Sequence, residues 1–117
     1  MMNIQRLHMG KTLSEIAIHN GAVYLAGQIA EGGSTNIADQ TREVLGHIDR
    51  LLAQANSDKS RILMCQIFLA DMRDFAGMNA VWGEWVAAGS APPRATVQAA
   101  LAKPEWLVEM VVTAAQR

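Results

Sequence analysis

The 117-residue sequence lacks several features that mark particular classes of protein. Its single cysteine, Cys65, allows no disulfide within one chain and fits a reducing compartment. No stretch of about 18 uncharged apolar residues is present, so no membrane-spanning helix is expected. The N-terminal residues also lack the apolar run of a secretory signal. We therefore expect a soluble cytoplasmic protein that does not enter the membrane.

Clusters of basic and metal-binding residues are also missing. Lys and Arg number 10 against 11 Asp and Glu, and no two basic residues are adjacent. A protein that binds nucleic acid presents a basic face to the phosphates, so this composition argues against that class. His8, His19 and His47 are scattered without metal-ligand spacing, which predicts no metal site. Cys65 lies among apolar neighbours and is expected to be a core residue, not a nucleophile.

Apolar residues, by contrast, are abundant, at 50% of the chain against 18% charged. The length corresponds to one ordinary domain, so we expect residues 1–117 to form a single domain. A chain this small leaves a large share of its surface exposed. Association between subunits is one use for apolar surface in excess of the core.

Turn and periodicity signals predict the first half of the fold. Ile4–Leu7 can form a short edge strand, and Glu15–His19 and Val23–Gly27 form a hairpin about Asn20-Gly21, a dipeptide typical of two-residue turns. The helical period of apolar residues predicts a helix over residues 38–55, with Asn36 as its N-cap.

The second half alternates strand and helix. Ile62–Ala70 is almost wholly apolar and is predicted to be a central strand buried on both faces. A second helix is predicted to start at an Asp74 cap and to have Gly89 just beyond its end. Two strands follow, Ala95–Leu101 and Leu107–Ala114. The resulting order is β-β-α-β-α-β-β, an α+β fold with two helices on one face of a mixed sheet. The other face of the sheet has no element of this short chain to pack on it, so we expect another subunit to cover it.

Two charged residues in apolar strands are candidates for chemistry. Glu109 lies within Leu107–Val112, where a buried carboxylate must be paired or hydrogen-bonded; it could hold or deprotonate a water. An edge position facing solvent is the alternative. Arg94 opens a strand after two prolines, and a guanidinium is suited to gripping a carboxylate at two points. Its alternatives are a surface charge at a strand end or a structural partner for Glu109.

Four segments together resemble the blocks of the RidA/YjgF (reactive intermediate deaminase) family, in the same order and over nearly the whole chain. They are Val23-Tyr24-Leu25-Ala26-Gly27-Gln28-Ile29, Asp71-Met72-Arg73-Asp74-Phe75-Ala76-Gly77-Met78-Asn79, Ala91-Pro92-Pro93-Arg94-Ala95-Thr96-Val97 and Leu107-Val108-Glu109-Met110.

The resemblance implies a chorismate-mutase-like fold and a homotrimer with active sites between subunits. It also implies an enzyme of the 2-iminobutanoate/2-iminopropanoate deaminase type. Such an enzyme hydrolyses 2-imino acids, among them the 2-iminopropanoate released when pyridoxal-phosphate enzymes dehydrate serine. The products are a 2-oxo acid and ammonia, and neither cofactor nor metal is used.

The resemblance also assigns roles to residues of this chain. Arg94 binds the substrate carboxylate and Glu109 holds the attacking water, which makes these two the catalytic residues. The backbone carbonyl of Thr96 helps place that water, Asn79 lies near the cleft, and Gly27 brings the backbone close to the ligand.

The chain departs from the family's archetype at three positions of the substrate-binding wall. Leu13 stands where the archetype has Tyr, Ala26 where it has Ser, and Thr96 where it has Cys. These changes leave Arg94 and Glu109 in place, so they affect substrate range and rate more than reaction type. They indicate a subgroup distinct from the archetypal RidA.

Two other functions are compatible with the same blocks. One is a non-catalytic sensor or regulatory module that binds small 2-oxo or imino acids through Arg94. The other is action on RNA, since some relatives are described as ribonucleases or translation inhibitors, although the acidic balance weighs against it. The sequence does not identify the natural imine or the enzyme that releases it.

Overall fold

Six strands and two helices make up residues 3–117, the part of the chain that the computed structural model describes. They are, in chain order, β1 (Gln5–Met9), β2 (Ser14–His19), β3 (Ala22–Leu25), α1 (Ile37–Gln54), β4 (Ile62–Leu69), α2 (Phe75–Trp85), β5 (Arg94–Gln98) and β6 (Val108–Ala115). The short edge strand that the sequence allowed is present as β1, so three strands, not two, precede α1.

The six strands form one mixed sheet in the order β1-β2-β3-β6-β4-β5. Neighbours are antiparallel except β4 and β5, which are parallel and are joined through α2. A parallel pair needs a long crossover, and the helix supplies it. The predicted α+β class, with two helices packed on a mixed sheet, is confirmed.

The hairpin between β2 and β3 turns at the predicted dipeptide. Asn20 and Gly21 both have positive φ, 53° and 76°. Positive φ at both central residues is the requirement of a type I′ turn, which Asn-Gly meets at little steric cost. This local signal therefore sets the register in which Ile16 pairs with Leu25.

Helix α1 begins as its sequence predicts and supplies much of the core. The side chain of Asn36 accepts a hydrogen bond from the backbone N–H of Asp39 at 2.9 Å, as an N-cap does. One face of α1 is fully buried against the sheet, through Val44, Leu45, Ile48, Leu51 and Leu52. Truncating a buried leucine or isoleucine to alanine costs about 2–5 kcal/mol, so this face is the main anchor of the fold.

Helix α2 differs from its prediction at both ends. Asp74 occupies the N-cap position but makes no side-chain cap hydrogen bond. Instead, Asp71 accepts from the backbone N–H of Arg73 at 2.9 Å and caps a short 3₁₀ turn that leads into the helix. The helix ends at Trp85, so the prediction of Gly89 immediately after the helix was wrong; Gly89, with φ of 78°, lies in the following loop.

The two faces of the sheet have different surroundings. The helix face is covered by α1 and α2, whereas the opposite face, the open face, carries the exposed side chains of Tyr24, Met64 and Val97. The prediction that β4 is buried on both faces was wrong within a single chain. Both helices pack on the same side of the sheet, so β4 is covered on that side only. No helix among residues 3–117 has the length and apolar character needed to cross a membrane.

Candidate functional site

Arg94 lies at the start of β5, where its guanidinium is held by residues of α2. Its Nη1 donates to Oδ1 of Asn79 at 2.7 Å. The guanidinium carbon lies 5.2 Å from the ring centroid of Trp82 and 5.8 Å from that of Phe75. Aromatic faces attract a cation and restrict its plane, so the guanidinium is oriented before any ligand arrives.

The aromatic neighbours of Arg94 were not among the predicted site residues. Phe75, Asn79 and Trp82 are spaced i, i+4 and i+7, so they lie on one face of α2. Aromatic residues at this helical spacing, such as Phe75 and Trp82, are ordinarily core residues. The polar Asn79 lies on the same helical face, and its presence among apolar residues was the sequence feature that indicated contact between this face and a polar or charged group.

Thr96 shares the face of β5 on which Arg94 lies. It is two residues further along the strand and pairs with Ile67, as Arg94 pairs with Cys65. Its Oγ1 is buried and has no hydrogen-bond partner within the chain. A buried hydroxyl without a hydrogen-bond partner costs free energy, which makes Thr96 an unusual residue of this face. Arg94, Asn79 and Thr96 form what we call the arginine half-site.

Glu109 lies on β6 in close contact with Gly27. A Cβ built on Gly27 would lie 2.0 Å from Oε2 of Glu109 and 2.9 Å from its Cδ. Only glycine can therefore occupy position 27 while the carboxylate keeps its place. Just after this glycine, the backbone of Gln28 exchanges two hydrogen bonds with that of Met110, at 2.8 and 3.1 Å. Gly27 and Glu109 form what we call the glutamate half-site.

The two half-sites lie on opposite faces of the sheet. On β4, Cys65 pairs with Arg94 and Phe68 pairs with Glu109. Paired residues share a face and side chains alternate along a strand, so residues three apart on β4 face opposite ways. Cys65 is buried beneath the helices, which puts Arg94 on the helix face and Glu109 on the open face. The interpretation of Arg94 as the structural partner of Glu109 within one chain was therefore wrong.

The remaining predicted residues lie near the edges of these half-sites. Ala26 precedes Gly27, is half-buried, and donates its backbone N–H to the carbonyl of Glu15 at 2.9 Å. Leu13 lies in the loop between β1 and β2 with 61% of its surface exposed. In a single chain Leu13 is thus an exposed apolar side chain at a loop, available for contact with another molecule.

A cavity of about 490 Å³ lies elsewhere, between the loop after Gly27 and the segment before β6. Its lining includes Ser34, Gln40, Lys103 and Trp106. Neither Arg94 nor Glu109 lines it. The two residues singled out for chemistry therefore do not contribute to this cavity.

Cys65 is expected to be inert in the folded protein. It is fully buried, and burial raises the pKa of its thiol to about 12, a rise that the nearby charge of Arg94 only partly offsets. The thiolate is the reactive form, so the native protein should not react with iodoacetamide at pH 8, whereas the protein unfolded in guanidinium should react. Mass spectrometry of the alkylated chain measures both. Rapid labelling of native protein would contradict this prediction.

Both the sequence and the fold are similar to those of known proteins. A family model described as endoribonuclease L-PSP matches residues 3–116. The chain belongs to this family. Several of its relatives are called RutC family proteins. One of Haemophilus influenzae is 54% identical over 114 residues, covering 97% of this chain and 98% of the relative. The RutC family protein YoaB of Escherichia coli is 43% identical, covering 97% and 99%.

The solved structures agree with this family assignment. A member of the YjgF protein family from Neisseria meningitidis has a TM-score of 0.97 and 46% identity, covering 99% of this chain and 97% of that one. The resemblance to the RidA/YjgF family is therefore confirmed, as is the chorismate-mutase-like fold. The names of these relatives are consistent with a subgroup distinct from RidA.

Proposed function

We propose that this protein hydrolyses reactive 2-imino acids, such as 2-iminopropanoate, to 2-oxo acids and ammonia. The site is formed where the arginine half-site of one copy meets the glutamate half-site of another in a homotrimer. The observation that carries the proposal is the pair of half-sites on opposite faces of one sheet, each suited to a different part of an imino acid. Each copy acts as one RidA-like domain, and the reaction takes place in the cytoplasm.

The arginine half-site binds the substrate through its carboxylate. Arg94 grips the two oxygens in fork geometry, with its plane fixed by Asn79 and the rings of Phe75 and Trp82. This contact holds the imine carbon in one orientation, which lowers the entropic cost of reaction. Thr96 lies two residues along the same face and helps to place the attacking water through its backbone carbonyl.

The glutamate half-site supplies the water. Glu109 accepts a hydrogen bond from it and takes its proton as the oxygen attacks C2 of the imine. The C=N double bond becomes a C–N single bond in a tetrahedral carbinolamine. Protonation of the nitrogen and loss of the hydroxyl proton then expel ammonia and leave the 2-oxo acid. The overall reaction consumes one water and needs no electron transfer, so no redox cofactor is required.

Turnover of an imine generated in place by an amino-acid oxidase tests this proposal. Purified protein is expected to accelerate the appearance of the 2-oxo acid beyond the spontaneous rate in buffer. A wild-type protein that gives no acceleration with any of a panel of imino acids would overturn it. RNA incubated with the same preparation is a useful comparison, because cleavage lost in a clean Arg94→Ala variant would indicate a nucleic-acid substrate instead.

A mixture of two inactive variants tests whether the site is shared between copies. Arg94→Ala and Glu109→Ala are each expected to be inactive, but co-refolded in equal amounts they should regain about a quarter of wild-type activity, because each mixed trimer contains one site with both side chains. Each variant refolded alone is the control. If mixtures stay inactive although mixed trimers form, the shared site is wrong.

A sensor that binds 2-oxo or imino acids without turnover is the second candidate, because the arginine half-site can hold a carboxylate independently of Glu109. Calorimetry with 2-oxobutyrate distinguishes the two. For an enzyme, Glu109→Gln should keep binding and lose turnover. A wild-type protein that binds 2-oxobutyrate but never accelerates imine hydrolysis would be a sensor.

A further inference from the structure

The glutamate half-site depends on two chain segments that approach it from the same end of the sheet. One is the loop that leaves Gly27 and leads to α1. The other is the segment before β6, which reaches Glu109 two residues after Leu107. A cavity of about 490 Å³ lies between the two segments. Their relative position therefore depends on side chains that bridge or anchor them.

Gln40 of α1 bridges both segments. Only 1% of its surface is exposed. Its Nε2 donates to the carbonyls of Ser34 and Glu105, each at 2.9 Å, and its Oε1 accepts from the backbone N–H of Leu107 at 2.9 Å. Both amide hydrogens and the amide oxygen of Gln40 are thus hydrogen-bonded. One of these bonds goes to the loop after Gly27, at Ser34, and two go to the segment before β6, at Glu105 and Leu107. A buried amide with every group satisfied is a rigid connector.

Glu43, one helical turn further along α1, holds the first segment closer to Gly27. Its Oε2 accepts from the backbone N–H of Glu31 at 2.7 Å, and its two oxygens lie 3.2 and 3.0 Å from the N–H of Gly32. A Cβ on Gly32 would lie 2.7 Å from Oε1 of Glu43, so the glycine permits this close approach. The carboxylate thereby fixes the loop four to five residues after Gly27.

The charge of Glu43 suits this role. Burial raises its pKa, but the hydrogen bonds from Glu31, Gly32 and His47 outweigh that effect and leave the pKa below its ordinary value. The Nε2 of His47 lies 3.2 Å from Oε2, and Nδ1 of the same ring lies 3.2 Å from Nη1 of Arg50. The carboxylate is therefore ionised at neutral pH, and its bonds to the loop are of the stronger, charge-assisted kind.

We propose that Glu43 is a positioning residue for the reaction, which fixes the loop that seats Gly27 against the carboxylate of Glu109. Without it, the loop is free to shift and the water held by Glu109 loses its alignment with the imine carbon. Substrate affinity should change little, because the substrate carboxylate is held by Arg94, whose guanidinium is fixed by Asn79, Phe75 and Trp82 and not by Glu43 or its loop. The inference rests on the proposed imine hydrolysis.

Steady-state kinetics of Glu43→Ala and Glu43→Gln test this role. Glu43→Ala is expected to lower kcat by about tenfold with KM and the affinity for 2-oxobutyrate unchanged. Glu43→Gln should recover much of that loss, since its amide oxygen still accepts from the loop. Glu84→Ala, which removes an exposed carboxylate from α2, is the matched control and should resemble wild type.

Hydrogen exchange provides a readout that does not depend on turnover. Amides of residues 27–32 should exchange faster in Glu43→Ala than in wild type, while those of the β4–β5 pair should not change. Unchanged exchange over residues 27–32, or an unchanged kcat in an active protein, would overturn the positioning role. Absence of turnover in wild type would instead overturn the proposed reaction, so the two failures are distinguishable.

Discussion

Replacing Arg94 with alanine is expected to lower kcat/KM for an imino acid by about 10²–10⁴-fold, because two charge-assisted hydrogen bonds to the substrate carboxylate are lost, each worth about 1.5–3 kcal/mol. The bond to Asn79 uses only one of the five N–H donors of the guanidinium, which leaves a fork for the substrate. Since the carboxylate also orients the imine, both binding and rate should suffer. Kinetics over a range of imino acid concentrations measure the effect.

Two further variants make the Arg94 experiment decisive. Arg94→Lys keeps the charge without the planar fork, so it should recover only a small part of the activity. Arg73→Ala removes a cation of α2's leading turn whose side chain is 83% exposed, and it should behave as wild type. If Arg94→Ala retained wild-type kinetics while melting at the same temperature, the assignment of the carboxylate-binding group would be wrong.

Gly27→Ala is expected to lower kcat by about 10²-fold with little change in melting temperature. The new Cβ would lie 2.0 Å from Oε2 of Glu109, and the carboxylate must retreat by about 1.4 Å to restore ordinary contact at 3.4 Å. The end of a glutamate side chain moves easily, so the fold tolerates the change. A catalytic group displaced by about 1 Å, however, can lose about two orders of magnitude in rate.

The control for Gly27→Ala is the same substitution where space is open. A Cβ on Gly46, in α1, meets nothing within 4 Å. Because alanine favours the helix over glycine by about 1 kcal/mol, Gly46→Ala should raise the melting temperature and leave kcat unchanged. Equal kcat values for Gly27→Ala and wild type would show that contact with Gly27 does not set the position of Glu109.

Local signals predicted much of the fold because the responsible interactions are short-range. Asn20-Gly21 encodes a turn by its backbone preferences, and Asn36 caps α1 through a hydrogen bond three residues away. The end of α2 was predicted less well. Gly89 was taken as the stop signal, but the helix already ends at Trp85, in a part of the chain where tertiary packing outweighs local preference.

The faces occupied by the two charged residues could not be predicted from the sequence. In β6 one face is wholly apolar, whereas the face of Glu109 mixes Glu109 and Thr113 with Val111 and Ala115. Alternation therefore separates the two sides of β6, but it does not relate the side of Glu109 to the side of Arg94 on another strand. The side of Glu109 is fixed by pairing with Phe68 of β4, and that of Arg94 by pairing with Cys65; both are long-range contacts. The blocks of family resemblance predicted which residues matter but contained no information on this register.

The opposite orientation of the half-sites also limits the symmetry of an assembly with shared sites. A two-fold axis uses one self-complementary patch, which would have to present Arg94 and Glu109 on the same side of the chain. They lie on opposite faces, so one such contact cannot unite them. A head-to-tail arrangement, in which one surface of each copy meets a different surface of the next, satisfies every chain equally when it closes into a ring. For an assembly with shared sites, the strand register within one chain thus favours a closed ring of three or more copies over a two-fold dimer.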